Sequence, residues 1–228
     1  MTINPKQQFV DGTRQMLALS NDSKEVELLD ISITTDPEVF NPDVFFSSQW
    51  FAEEITKLVK NEGILIEVGC GTGIVSIKAA KENPNLEVYS TDIIEKAKEL
   101  TAFNAEKNNV GQRIHAYSGD VLDSIPKKLR ADSIFWAMPF GYLVPEEEMK
   151  GKDTQVFDPG YRAIRKFFKD ARNYLKDTGR LLIGFSVDIG HFDLLEEIIK
   201  ENNFSIKLLN KTSGVEKDSV SMEIWEVK

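Results

Sequence analysis

The chain has 228 residues, 41% of them hydrophobic and 29% charged, with 28 basic against 37 acidic side chains for a formal charge of −9. That size and composition fit one globular domain, which buries roughly 70% of the surface its unfolded chain exposes and needs no disulfide or metal staple. They exclude a disordered, collagen-like or disulfide-built protein, and an acidic balance with no run of more than two adjacent basic residues disfavours nucleic acid as a partner. No apolar stretch approaches the roughly 20 residues that span a bilayer. The opening MTINPKQQFVDGTRQ lacks an apolar signal core, so a cytoplasmic location is expected. One cysteine and two histidines give no ligand set for a structural zinc, and no metal is expected.

Residues 1–24 are polar with scattered apolar side chains (Phe9, Val10, Met16, Leu17, Leu19) and predict a short helix lying over the domain. EVELLDISIT (25–34) alternates as a strand or hairpin arm. Pro37 and Pro42 mark the next stretch as loop. Residues 47–60 predict a Ser-capped helix with Phe51, Ile55, Leu58 and Val59 at helical spacing. ILIEVG (64–69) is the continuous apolar run of a buried parallel strand. A helix over 73–81, a strand over 86–92 and a helix over 93–109 follow, the last with Ile94, Ala97, Leu100, Ala102 and Phe103 inward. Residues 113–120 read as a strand and turn, and 131–139 as another strand. Residues 139–159 form a loop longer than a compact α/β connection needs, as binding loops often do. An amphipathic helix over 160–177 buries Tyr161, Ile164, Phe167, Phe168, Ala171 and Leu175 and stops at Asp177-Thr178-Gly179. A strand (180–187), a helix (192–203) and a closing antiparallel pair (204–211 and 219–227) complete the chain.

Strands and helices alternating over short connections predict an open, mostly parallel α/β sheet with helices on both faces. Ligands of such sheets bind beyond the carboxyl ends of the strands, near the switch in strand order. The chemistry is therefore sought in the turns after 68, 91, 118, 137 and 187.

The first of these turns reads Glu67-Val68-Gly69-Cys70-Gly71-Thr72-Gly73. Its glycines permit positive φ and close approach of a ligand, and the helix beyond exposes its first amides. The dinucleotide fingerprint G-x-G-x-x-G would need glycine where Ile74 stands, which disfavours a nicotinamide dehydrogenase. Glu67 suits a cationic ammonium better than a pyrophosphate. Asp92 ends the next strand and can accept both hydroxyl protons of a ribose. Asp120, after Gly119, can accept from an exocyclic adenine amine. Three acids and a glycine turn describe an adenosine with a cationic amino-acid tail, S-adenosylmethionine.

These segments resemble the class I SAM-dependent methyltransferases over about 38–205. Within them the chain resembles the small-domain branch, which includes release-factor glutamine, N6-adenine and rRNA guanine-N2 methyltransferases. The resemblance is carried by VFNPDVFFSSQWFAEEI, ILIEVGCGTGIVSIKAA, VYSTDI, LTAFNAEKNN with Asn104, SGDVLD and ADSIFWAMPF. It implies a Rossmann-like, doubly wound, seven-stranded sheet with an antiparallel strand near the C-terminus. It also implies SAM as cofactor, held by Glu67, Gly69, Gly71, Gly73, Asp92 and Asp120. The branch carries Asn/Asp-Pro-Pro-Tyr/Phe after the fourth strand, where this chain has Ala137-Met138-Pro139-Phe140. Ala137 offers no side-chain acceptor for a planar nitrogen, whereas Phe140 keeps the aromatic packing surface. The four residues are assigned to the acceptor side.

The expected enzyme is a SAM-dependent methyltransferase acting on an O or N atom of a small-molecule acceptor. Two alternatives stand beside it: a protein-glutamine or nucleic-acid amine methyltransferase using backbone carbonyls in place of the Asn, and a SAM-binding module without catalysis. Residues 1–46 are expected to form an extension or lid, and 47–228 the methyltransferase domain. Cys70 is expected to fill a packing site, His115 to be a strand histidine and Asp132 a capping residue. Glu146-Glu147-Glu148 reads as a solvated loop tip. For Asp188 and His191, helix capping by Asp188 is weighed against a general-base role. Phe140, Tyr142 and Phe157 are expected to face the acceptor.

Overall fold

The computed structural model describes residues 5–19, 22–144, 149, 152–212 and 220–228. The Glu146-Glu147-Glu148 tip and the link at 213–218 lie outside the described residues. In chain order the elements are α1 (Pro5–Leu19), β1 (Glu25–Leu28), β2 (Ile31–Thr34), α2 (Phe46–Leu58), β3 (Glu62–Val68), α3 (Ile74–Glu82), β4 (Asn85–Asp92), α4 (Glu95–Lys107), β5 (Ile114–Ser118), β6 (Ala131–Ala137), β7 (Gly141–Leu143), β8 (Phe157–Pro159), α5 (Arg162–Asp170), β9 (Leu175–Phe185), α6 (Phe192–Glu201), β10 (Ile206–Thr212) and β11 (Met222–Val227). Among the described residues no helix is long and apolar enough to cross a membrane.

Seven strands form one sheet in the order β10-β11-β9-β6-β3-β4-β5. All pairings are parallel except those of β11, which runs antiparallel between β9 and β10. This is the expected doubly wound α/β sheet with its antiparallel closing strand. From β3 the chain winds outward to β4 and β5, then returns to place β6 on the other side of β3. The switch in strand order therefore falls between β3 and β6, at the carboxyl ends of the two strands that carry the glycine turn and the Ala137–Phe140 segment.

Side chains leave the central strands alternately, as a strand's period of two requires. Ile66, Ile134 and Trp136 join a core with Phe167 and Phe168 of α5 and Ile198 of α6. Leu65 and Phe135 point the other way, onto Trp50 and Phe51 of α2 and Ile77 of α3. Both faces are thus covered, and the strands read as apolar runs.

Four elements differ from the sequence pattern. Helix α2 starts at Phe46, with Phe45 at its N-cap and no side-chain cap in place of the expected serine. On α4 the inward face is Ala97, Leu100, Thr101, Asn104 and Ala105, while Phe103 is 57% exposed. Asparagine holds an inward position there for its hydrogen bonds. The helix expected over 160–177 ends as α5 at Asp170, tightens into a 3-10 turn over Ala171–Tyr174 and becomes β9 at Leu175. Asp177-Thr178-Gly179 lies inside that strand's register shift against β6, with the backbone of Gly179 so close to Ala131 that a Cβ would sit 2.9 Å from its carbonyl oxygen. The long loop after β6 contains a parallel two-stranded ribbon, β7 with β8.

The β1–β2 hairpin is fastened to α4 by two side-chain amides one helical turn apart. Asn104 Oδ1 accepts from Thr34 N (2.9 Å), and its Nδ2 donates to Thr34 O (3.0 Å) and to Thr72 O (2.9 Å). Asn108 Oδ1 accepts from Ser32 N (3.0 Å), and its Nδ2 donates to Ser32 O (2.7 Å). Alternate residues of β2 meet these amides as they would meet a neighbouring strand. Ile31 and Ile33, pointing the other way, are fully buried. Replacing Asn104 with alanine orphans the buried carbonyl of Thr72, at about 1–3 kcal/mol, and removes the partner of the half-buried Thr34 N–H and C=O. Urea titration is expected to show a loss of about 2 kcal/mol or more at unchanged m-value.

Candidate functional site

Gly69, Gly71 and Gly73 all adopt left-handed φ, at 67°, 55° and 84°. A side chain there costs about 1–2 kcal/mol in backbone energy alone. Their surroundings differ. A Cβ on Gly69 would stand 3.1 Å from Trp136 Nε1, and one on Gly73 3.2 Å from Thr101 Cα. A Cβ on Gly71 would meet only Val39, at 3.8 Å. The outer glycines are packed against β6 and α4, while the middle one opens to the cavity.

The bend is held to the end of β4. Gly69 N and Cys70 N donate to Thr91 O at 2.8 and 3.1 Å, and Gly71 N donates to Asp92 Oδ2 at 2.9 Å. Asp92 Oδ1 accepts from Ile94 N at 3.0 Å, so one carboxylate fixes both the bend and the entry to α4. Burial raises the Asp92 carboxyl above the usual range, against the pull of those amides.

Glu67 is 3% exposed on β3. Its Oε2 accepts from Ser76 N at 3.0 Å and from Ser76 Oγ, which in turn lies 2.6 Å from Ser90 Oγ. Burial pushes this carboxyl up to about 8, against the Ser76 hydrogen bonds that favour its charge. Asp120 is exposed at the cavity mouth, where its Oδ2 meets Lys166 Nζ at 2.6 Å. The same ammonium reaches Asp123 Oδ2.

These groups line one cavity of about 960 Å³ at the carboxyl ends of β3, β4 and β6. That lies at the upper end of the roughly 300–1,000 Å³ of ligand pockets. Glu67, the glycine bend, Asp92 and Asp120 occupy one part of the lining, and Ala137, Met138, Pro139 and Phe140 another. Met138 N donates to Gly184 O at 3.1 Å, which seats this segment on β9. Phe140 packs edge-on against Phe185.

The expected Phe157 lines the cavity, whereas Tyr142 turns edge-on to Tyr161 and His191. Cys70 is buried, with its thiol pushed well up by burial, and accepts from Thr101 Oγ1. His115 Nε2 lies 2.9 Å from Glu87 Oε2 on the sheet. Asp132 caps the start of β3 through Ile64 N and pairs with Lys176. His191, not Asp188, caps α6 through Nδ1, while Asp188 accepts from Ser221 N and Oγ. Neither of these two side chains lines the cavity.

The sequence reading laid a short helix over the domain but did not bring its side chains to the cavity. Phe9, Thr13 and Met16 of α1 line the cavity. Val10 and Leu17 pack on Leu143, Val156 and Phe157. Arg14 Nε donates to the buried Asp153 at 3.0 and 3.2 Å, and Gln155 Nε2 donates to Glu38 O at 2.7 Å. Phe9, Val10, Met16 and Leu17 were read there only as scattered apolar side chains. Lys166 was missed too, as one of several cations on the polar face of α5.

A glycine bend beside an acid-tipped β4, across a strand-order switch from an Ala-Met-Pro-Phe segment, is the arrangement expected of a methyltransferase. The chain belongs to the family described as the methyltransferase small domain, which matches residues 30–208. It is similar to the release factor glutamine methyltransferase of Aquifex aeolicus, 26% identical over 68% of this chain and 57% of that protein. It is also similar to the tRNA1(Val) (adenine(37)-N6)-methyltransferase of Aliivibrio salmonicida, 25% identical over 72% and 68%. A putative protein N5-glutamine methyltransferase of Methanocaldococcus jannaschii is 24% identical over 89% of this chain and 99% of its own length. Among solved structures, TYW2 of P. horikoshii in complex with MeSAdo has a TM-score of 0.62 at 18% identity, covering 90% of this chain and 71% of that one. The chain thus spans little more than half of the Aquifex protein, at 57%.

The family match bears out the methyltransferase class and its cofactor. The expectation of a small-molecule acceptor is overturned, because these relatives are named for glutamine in proteins and adenine in tRNA. That expectation leaned on net charge, which sums the whole surface and says little about one cavity mouth.

Glu67 generates a prediction. Its carboxyl holds a proton up to about pH 8 in the fold but only to about 4.5 in the unfolded chain. Between those values the unfolded state binds fewer protons, so stability falls as pH rises. The contribution is fully present below about pH 4.5 and gone above about 8. Melting the ligand-free chain and Glu67→Gln side by side over pH 5–9 should show the difference closing in the variant's favour.

Proposed function

We propose that this chain transfers the methyl group of S-adenosylmethionine to a side-chain amide nitrogen of a protein. The observation that supports it is a single cavity lined on one side by the glycine bend and Asp92 and on the other by Ala137–Phe140. The opening at Gly71, the only glycine of the bend with free space beyond its Cα, fits a cofactor laid against the backbone.

When bound, the cofactor supplies a sulfonium, an activated methyl donor that needs no help from a metal or a covalent intermediate. The chain's task is to align the acceptor nitrogen and exclude water. Asp92 keeps lone pairs for the ribose hydroxyls while it holds Gly71 and Ile94. Glu67 is the partner for the ammonium group, and a nearby cation favours its charged form. Asp120 receives the adenine amine at the mouth, sharing its carboxylate with Lys166. On the other side Phe140 packs against the planar amide, and backbone carbonyls of 137–139 accept its N–H groups in place of the side chain that Ala137 lacks. Phe9 and Met16 of α1 add apolar lining to the cavity.

Two observations favour protein over RNA. The M. jannaschii relative is matched over 99% of its length. Lys166, the α5 ammonium on the cavity lining, is already paired with Asp120 and Asp123, and Arg162 beside it donates to Pro159 O. A phosphate backbone would have to displace those carboxylates.

Incubation with methyl-labelled SAM and fractionated lysate should place label in protein, on an amide. Label in RNA would transfer the proposal to an adenine amine. Asp92→Asn removes a charged acceptor, worth about 1.5–3 kcal/mol. Calorimetry should show SAM binding about 10- to 100-fold weaker, and unchanged affinity would remove Asp92 from the site.

A further inference from the structure

Tyr161 is fully buried and holds a left-handed φ of 54°, directly after Gly160 at 64°. A bulky residue rarely adopts that backbone, and such outliers persist where the surroundings over-determine them. The turn is fixed by Asp158, whose carboxylate accepts from Ala163 N at 3.2 Å and Ile164 N at 3.0 Å at the start of α5. The result aims the tyrosine ring between two loops at the carboxyl edge of the sheet. Its hydroxyl donates to Phe140 O at 2.7 Å and accepts from His191 N at 2.8 Å. Its ring meets Tyr142 and Phe185 edge-on, with centroids 5.3 and 6.3 Å away. A bridge between Gly141 and Gly190 joins the same two loops beside it.

Phe140 ends the acceptor-side segment. At its start that segment is seated by Met138 N on Gly184 O. Between the two anchors stands one proline ring, Pro139, where the related motif has two. Met138 replaces a ring-locked φ with one held by its N–H bond to Gly184 O alone. We infer that the Tyr161 hydroxyl is a positioning residue for methyl transfer, fixing the Phe140 carbonyl and the 186–191 loop so that the acceptor-side segment keeps the rigidity its single proline cannot supply. Tyr161 does not line the cavity and touches neither cofactor nor acceptor. Burial raises its phenol well above the usual range, so it stays a donor throughout. Misplacing an acceptor by about 1 Å can cost about 100-fold in rate.

The inference rests on the proposed activity and is tested separately from it. Tyr161→Phe keeps the ring and removes both hydrogen bonds. With methyl-labelled SAM and the protein fraction of a lysate, the single-turnover rate at saturating SAM should fall tenfold or more. Calorimetric SAM affinity should stay within about twofold, because the glycine bend and Asp92 lie on the far side of the switch. Hydrogen exchange should accelerate in peptides covering 138–143 and 186–192, and not in those covering 67–75. Unchanged transfer overturns the inference. So does joint loss of SAM binding and of the cooperative melt, which would make Tyr161 a determinant of the fold instead. A wild-type chain that labels nothing defeats the proposed activity, and unaltered exchange in the variant then defeats the positioning role by itself.

Discussion

Two neighbouring parallel strands, β3 and β6, send their chains to opposite ends of the sheet, and the gap between their departures is where the chemistry of this protein gathers. Helix α3 leaves β3 toward one face and the segment after β6 leaves toward the other. Trp136 at the end of β6 lies against Gly69, so the two walls of the gap touch at their base and part above it. A side chain on Gly69 would push them apart, which gives that glycine a packing reason as well as a conformational one.

The acidic side chains around this gap each serve the fold before they can serve a ligand. Asp92 ties the bend to α4 through two backbone amides. Glu67 caps the amide of Ser76, inside the first turn and a half of α3. Asp120 is shared with Lys166. A carboxylate oxygen has two lone pairs, so a single backbone amide leaves room for a second donor. Preorganisation follows: the acceptors are oriented by the fold and reorganise little when a ligand arrives. Lys166 is the exception, because its ammonium competes for the same oxygen and is partly exposed.

N-terminal residues add a further wall to the gap. The Asn104 and Asn108 amides clasp β2, and the chain leaving that hairpin passes over the bend, where Val39 faces Gly71. Helix α1 then rests on the β7–β8 ribbon through Val10, Leu17 and the Arg14–Asp153 pair. Phe9, Thr13 and Met16 of this helix join the lining, so the roof shapes the cavity along with the floor.

The alternation of strand and helix, the glycine bend and the acid at the tip of β4 were all legible in the amino-acid sequence. Periods of 2 and 3.6 and the need for positive φ are properties of adjacent residues, and they survive without knowledge of neighbours. The boundary of α5 and the face of α4 were misread for the opposite reason: Gly179 answers to the carbonyl of Ala131, and Asn104 to Thr34, residues far away in the chain. The same holds for the Phe140–Tyr161–His191 bridge and for Asp120 and Lys166, 46 residues apart. Local pattern thus decided which elements form and where ligand-facing turns fall. Only the tertiary structure decided which lone pairs are already taken and what roofs the cavity, because each such contact joins distant segments and depends on how the whole sheet is wound.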